Sequence, residues 1–132
     1  MKFGDFAVYG GKEYRVAYSP DLKDTNIIML ITDDVEELNN GFTSGFFGIT
    51  KKVRIDELDM AYSVTTLAMY AGYQLQACEE KGDKMLLSTT STYAYHALNM
   101  EQIDRESYYK WVLKVDVKKV WEKKEPLWEF VL

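Results

Sequence analysis

Alternation of apolar and polar positions with a period of two runs through most of the chain. Phe6 and Val8 alternate with Ala7 and Tyr9, Gly10-Gly11-Lys12 turns the chain, and Tyr14, Val16 and Tyr18 alternate with Glu13, Arg15 and Ala17. Successive side chains of a strand point to opposite faces, so this pattern predicts a β-hairpin. Pro20-Asp21 is expected to end its second strand, and the apolar run Ile27 to Ile31 predicts a buried third strand. Thr32-Asp33-Asp34 ahead of Val35, Glu36, Glu37 and Leu38 predicts a capped helical turn, closed by Asn39-Asn40-Gly41.

Further along, the glycine-interrupted, aromatic stretch Phe42 to Gly48 reads as a loop or irregular strand, and alternation resumes over Lys51 to Ile55. Tyr62 to Met69 and then Tyr73, Leu75 and Ala77 predict a second hairpin, and Gly82-Asp83 turns into Met85-Leu86-Leu87. Asn99 followed by Gln102 has the spacing of a helix cap and box, which predicts a short helix through about Ser107. Trp111 to Lys118 reads as one long half-exposed strand, and Pro126 separates it from a final strand over Trp128, Phe130 and Leu132.

The pattern repeats. Ala7-x-Tyr9-x-Gly11 returns 61 positions later as Ala68-x-Tyr70-x-Gly72. Met29-Leu30-Ile31-Thr32 returns as Met85-Leu86-Leu87-Ser88, and Lys51-Lys52-Val53 as Lys110-Trp111-Val112. Order is kept while spacing drifts by a few residues, as unequal loops produce, so the chain reads as an internal duplication over 1–61 and 62–132 within one compact β-rich unit of 132 residues. Each half resembles a small five-stranded SH3-like barrel in size and hairpin content; that resemblance carries no functional residue. The expected fold class is all-β, with one or two short helices.

Composition narrows the function. Aromatic residues make up 14%, which favours strands, and 47% apolar with 28% charged residues is a globular rather than a disordered composition. The net charge is −5, with 7 basic and 11 acidic residues up to Ala61 and 9 and 10 after it. That balance disfavours nucleic acid, whose binders neutralise phosphates with Lys and Arg. The basic run Lys118-Lys119 and Lys123-Lys124 near Trp121 and Trp128 is interleaved with Glu122, Glu125 and Glu129, which weaken its field. One cysteine, no secretory leader pattern and apolar runs of only five or six residues predict a cytoplasmic chain with no membrane span.

No catalytic or metal-ligand spacing is present, so neither a cofactor nor a metal is expected, and the chain reads as a non-enzyme. The lone His96 has no neighbouring nucleophile or orienting carboxylate in sequence, and Cys78 precedes Glu79-Glu80, which opposes thiolate formation. What remains is surface chemistry. Asp33, Asp34, Glu36 and Glu37 form an acidic face suited to steering a basic protein, and Phe42, Phe46 and Phe47 form an aromatic loop suited to docking into one. These seven residues are the candidate partner-binding site of a small acidic inhibitor, such as an immunity protein that neutralises a basic toxin. A tyrosine-lined β-barrel for a small molecule, or an enzyme using His96 and Tyr95, are the alternatives.

Overall fold

The computed structural model describes residues 1–18 and 26–131, and the chain is all-β. Among the described residues there are eleven strands, one short α-helix and three 3-10 helices. The expected strand end at Pro20-Asp21 and the position of Leu132 lie outside the described residues.

Two compact units are present. The first comprises Gly4–Ser63 with Glu125–Leu132, and the second Met1–Phe3 with Val64–Lys124. In the first, β1 (Gly4–Tyr9) and β2 (Lys12–Ala17) form the expected hairpin, followed by β3 (Ile27–Thr32). A 3-10 helix over Val35–Asn40 leads to β4 (Thr43–Gly45) and β5 (Gly48–Arg54), and a second over Ile55–Glu57 leads to β6 (Met60–Tyr70). The strand order is β4-β5-β3-β2-β1-β6.

The second unit runs through the same order of elements. The last part of β6 turns at Ala71-Gly72 into β7 (Tyr73–Lys81), then β8 (Lys84–Thr89). The α-helix α1 (Thr92–Ala97) precedes β9 (Glu101–Gln102) and β10 (Tyr108–Leu113), and a 3-10 helix over Lys114–Asp116 leads to β11 (Val117–Pro126). Here the order is β6-β7-β8-β10-β9, and β11 also pairs with β6.

Registers match as well as order. Ala7 pairs with Tyr14 in the first unit, and Ala68 with Leu75 in the second. Ile28 pairs with Val53 and Leu30 with Lys51, as Met85 pairs with Val112 and Leu87 with Lys110. The apolar members of these pairs all lie in the cores, one in each unit, and both cores place an alanine, Ala7 or Ala68, in full burial on the strand before the hairpin turn. The registers also correct the alignment of the third strand. Leu30 corresponds to Leu87 and Met29 to Leu86, one residue away from the match suggested by the shared Met-Leu dipeptides.

Three expectations are overturned. The helix near Asn99 lies earlier, over Thr92–Ala97, because Ser91 Oγ accepts from Ala94 N at 3.3 Å and supplies the cap. Asn99 instead takes a left-handed step (φ 51), and Glu101–Gln102 pair with Tyr109 and Tyr108. The long strand from Trp111 is broken at Lys114–Asp116, where the Asp83 carbonyl accepts from Lys114 N at 2.8 Å. No strand forms after Pro126 among the described residues. No helix of the described residues is long and apolar enough to cross a membrane.

Candidate functional site

The acidic run Asp33 to Glu37 is folded into the start of a 3-10 helix, and its members have different tasks. Thr32 Oγ1 accepts from Asp34 N at 3.1 Å, and Asp34 Oδ1 accepts from Glu36 N at 3.0 Å, so Asp34 is the helix cap. Asp33 and Glu36 face solvent. Gly41 closes the helix with φ 87, a left-handed step that a Cβ would disfavour.

Glu37 turns inward and is 3% exposed. Its carboxylate accepts from Tyr14 OH at 2.6 Å, Lys12 Nζ at 2.9 Å and Asn40 Nδ2 at 3.4 Å. The Tyr14 hydroxyl, and after it Lys12, hold the Glu37 carboxyl below the ordinary glutamate value. Burial, and then the bond to Glu37, push the Tyr14 phenol up to about 12. Glu37 is thus a charge satisfied inside the fold.

Phe42 is also internal. It is 4% exposed and packs against Tyr14, with ring centroids 5.2 Å apart. Lys51 Nζ lies 4.9 Å from the Tyr9 ring and 6.0 Å from the Phe42 ring, and donates to Tyr9 OH at 3.1 Å. Glu37 and Phe42 therefore leave the set of residues that present to a partner. The sequence pattern that pointed to them shows polarity and aromaticity but not which face of the helix or loop meets β2.

Phe46 and Phe47 do the opposite. They are the two turn residues between β4 and β5, where Gly45 pairs with Gly48. Positive φ falls on Gly48 (φ 98), so neither phenylalanine carries the left-handed step of the turn. Phe46 is 97% exposed and Phe47 56%, with their rings edge to face at 5.3 Å.

Phe47 also forms part of a groove in the first unit. This concavity of about 640 Å³ is lined by β2 residues Glu13, Tyr14 and Arg15, by Ile31, Thr32 and Asp33, and by Phe47, Gly48 and Ile49. Tyr62 donates to the Glu13 carboxylate, and the Arg15 guanidinium sits 5.0 Å from the Phe6 ring centre. Glu13, Arg15 and Ile49 were not among the sequence-derived candidates. The alternation of β2 puts Glu13 and Arg15 on one face, but only strand pairing brings that face to Asp33 and Phe47.

The structure therefore gathers Asp33 and Phe47 at one groove, with Phe46 beside Phe47 and Asp34 and Glu36 following Asp33 in the helix. His96 lies elsewhere, exposed at the end of α1 and stacked on Tyr95 at 4.9 Å. Cys78 is half-buried, with Sγ 3.0 Å from Ser88 Oγ. Lys119 Nζ stands 5.0 Å from the Trp121 ring. A wider concavity of about 970 Å³ in the first unit is lined by residues including Asn26, Arg54, Asp56 and Trp128, and Trp128 has φ 54.

No curated protein and no solved structure matches the chain. A family model covers residues 1–129, and the chain belongs to the family described as "Uncharacterised conserved protein UCP033725".

Proposed function

We propose that this chain is a non-enzymatic protein-binding module that captures a basic protein through its first unit. In its most concrete form it is a small cytoplasmic inhibitor, of the immunity-protein kind, that neutralises a basic toxin domain. The observation that carries this reading is the Phe46-Phe47 pair, two adjacent large aromatic side chains left in solvent at a hairpin tip beside Asp33. Exposed aromatic clusters are uncommon on monomeric surfaces and frequent at the centres of interfaces. Burying each phenylalanine against a partner contributes about 1.5–3 kcal/mol. Asp33, Asp34 and Glu36 supply a negative field that speeds encounter with a positive surface.

The experiment is comparative affinity capture. Wild-type protein and a Phe46→Ser/Phe47→Ser variant are used as bait in an extract of the source cells, at low and high salt. The reading expects a basic protein retained by the wild type, released by salt and absent from the variant. Equal retention by both baits sinks it.

The two units are read in the same way as an internal duplication of SH3-like barrels. Support comes from the shared element order, the shared registers and repeated local bonds. Thr32 Oγ1 accepts from Asp34 N at 3.1 Å, and Thr89 Oγ1 from Ser91 N at 3.0 Å.

A further inference from the structure

The groove beside Phe47 has a counterpart in the second unit. There, a concavity of about 250 Å³ is lined by residues including Leu67, Gln74, Gln76, Ser88, Thr90 and Ser107. The strand registers set the correspondence: Gln74 stands where the first unit has Glu13, Gln76 where it has Arg15, and Ser88 where it has Ile31. Two residues further on, Thr90 stands where the first unit has Asp33. Every charged lining residue of the first groove is thus an amide or a hydroxyl in the second, and no charged side chain lines it.

Hydrogen-bonding capacity is kept while charge is removed. The side chains of Gln74, Gln76, Thr90 and Ser107 make no hydrogen bond to another described residue, whereas Glu13 and Arg15 are both engaged. Each carboxamide offers a donor and an acceptor side by side, and each hydroxyl offers both. A charged ligand finds no opposite charge here, and an apolar one would cover these groups without replacing their water. The volume lies below that of sites for drug-sized ligands, which limits the occupant to about one ring. Leu67 supplies an apolar wall.

We propose that the second unit binds a neutral polyhydroxylated molecule of single-sugar size in this groove, through Gln74, Gln76, Thr90 and Ser107. This site is separate from the capture of a protein by the first unit and does not depend on it. A ligand of so few atoms binds in the millimolar range.

The test is a titration of the full chain, labelled for side-chain amide NMR, with glucose, galactose and mannose. Glucuronate and glucosamine serve as charged controls. The proposal expects saturable shifts of the Gln74 and Gln76 amides with at least one neutral hexose, and binding of its charged analogues weaker by about tenfold or more. Gln74→Glu with Gln76→Glu, which places carboxylates in the groove, also removes those two reporters, so its binding is read on the backbone amides of Thr90 and Ser107, whose shifts vanish in a chain that keeps its spectral dispersion. Thr90→Asp, at an exposed position, does the same if the double variant does not fold. No saturable shift with any neutral hexose overturns the proposal, as does equal response to the charged controls or binding that survives the substitutions in a folded chain.

Discussion

Lys51 and Lys110 occupy equivalent places, each reaching from its strand to the carbonyl end of the short helix in its unit. Lys51 Nζ lies 3.4 Å from the Asn40 carbonyl oxygen, and Lys110 Nζ lies 2.6 Å from that of Leu98. The last carbonyls of a helix lack intrahelical partners and carry partial negative charge, so a cation there satisfies both needs. Lys51→Met and Lys110→Met are each expected to lower stability by about 1–2 kcal/mol in denaturant unfolding. A loss confined to one of them would contradict the equivalence of the two units.

Glu37 corresponds to Ala94 and Tyr14 to Leu75, so the second unit shows how the first packs without this polar cluster. Glu37→Ala alone strands the Tyr14 hydroxyl and is expected to lower Tm. Adding Tyr14→Leu removes the stranded group and recovers most of that loss, because replacing both partners of a buried hydrogen bond by apolar groups is nearly neutral. Calorimetry on the single and double variants checks this.

The same cluster sets pH limits. The Glu37 carboxyl is held down in the folded chain, so its contribution is complete above the unfolded value near 4.5 and is lost as pH falls through the folded value. Burial and the Glu37 carboxylate raise the Tyr14 phenol from 10.0 to about 12. Its contribution is complete below pH 10 and disappears as pH rises through 12. Urea unfolding across pH is expected to show both limbs. Glu37→Gln flattens the acid limb and Tyr14→Phe the alkaline one.

Gly41 and Asn99 both stand in the left-handed region after their helices, with φ 87 and φ 51. Gly41→Ala is expected to cost about 1 kcal/mol, since a Cβ is disfavoured there. At Gly41 that Cβ would also meet Lys51 Nζ at 3.3 Å. Asn99→Gly is expected to be neutral or slightly stabilising. Chemical denaturation of the two variants provides the comparison.

These pairs also mark what the residue pattern alone reveals. Hairpins were legible because Tyr9-Gly10-Gly11-Lys12 and Tyr70-Ala71-Gly72-Tyr73 join alternation to turn residues. The cap at Asp34 was legible because its signal is local. The helix Thr92–Ala97 was not: six residues rich in tyrosine complete less than two turns and cannot display a helical period. Alternation through Leu113, Val115 and Val117 hid the break between β10 and β11, where Val115 is 87% exposed. The shared Met-Leu dipeptides placed β8 one residue out of step with β3, an error that reverses the faces of a strand. In the candidate site, the pattern marked Phe42, Phe46 and Phe47 alike as one aromatic loop, although only Phe46 and Phe47 are exposed. Burial of Glu37 and Phe42 depended on Tyr14, more than twenty positions away in sequence, and pattern alone could not supply that contact.

Capture of a basic partner depends most directly on Phe46 and Phe47, so the decisive measurement is the affinity of that partner for Phe46→Ser/Phe47→Ser, with stability measured in parallel. A loss of about 2 kcal/mol or more in binding is predicted, about thirtyfold in Kd, with unfolding free energy changed by no more than about 0.5 kcal/mol. Unchanged affinity in a fully folded variant would contradict the account.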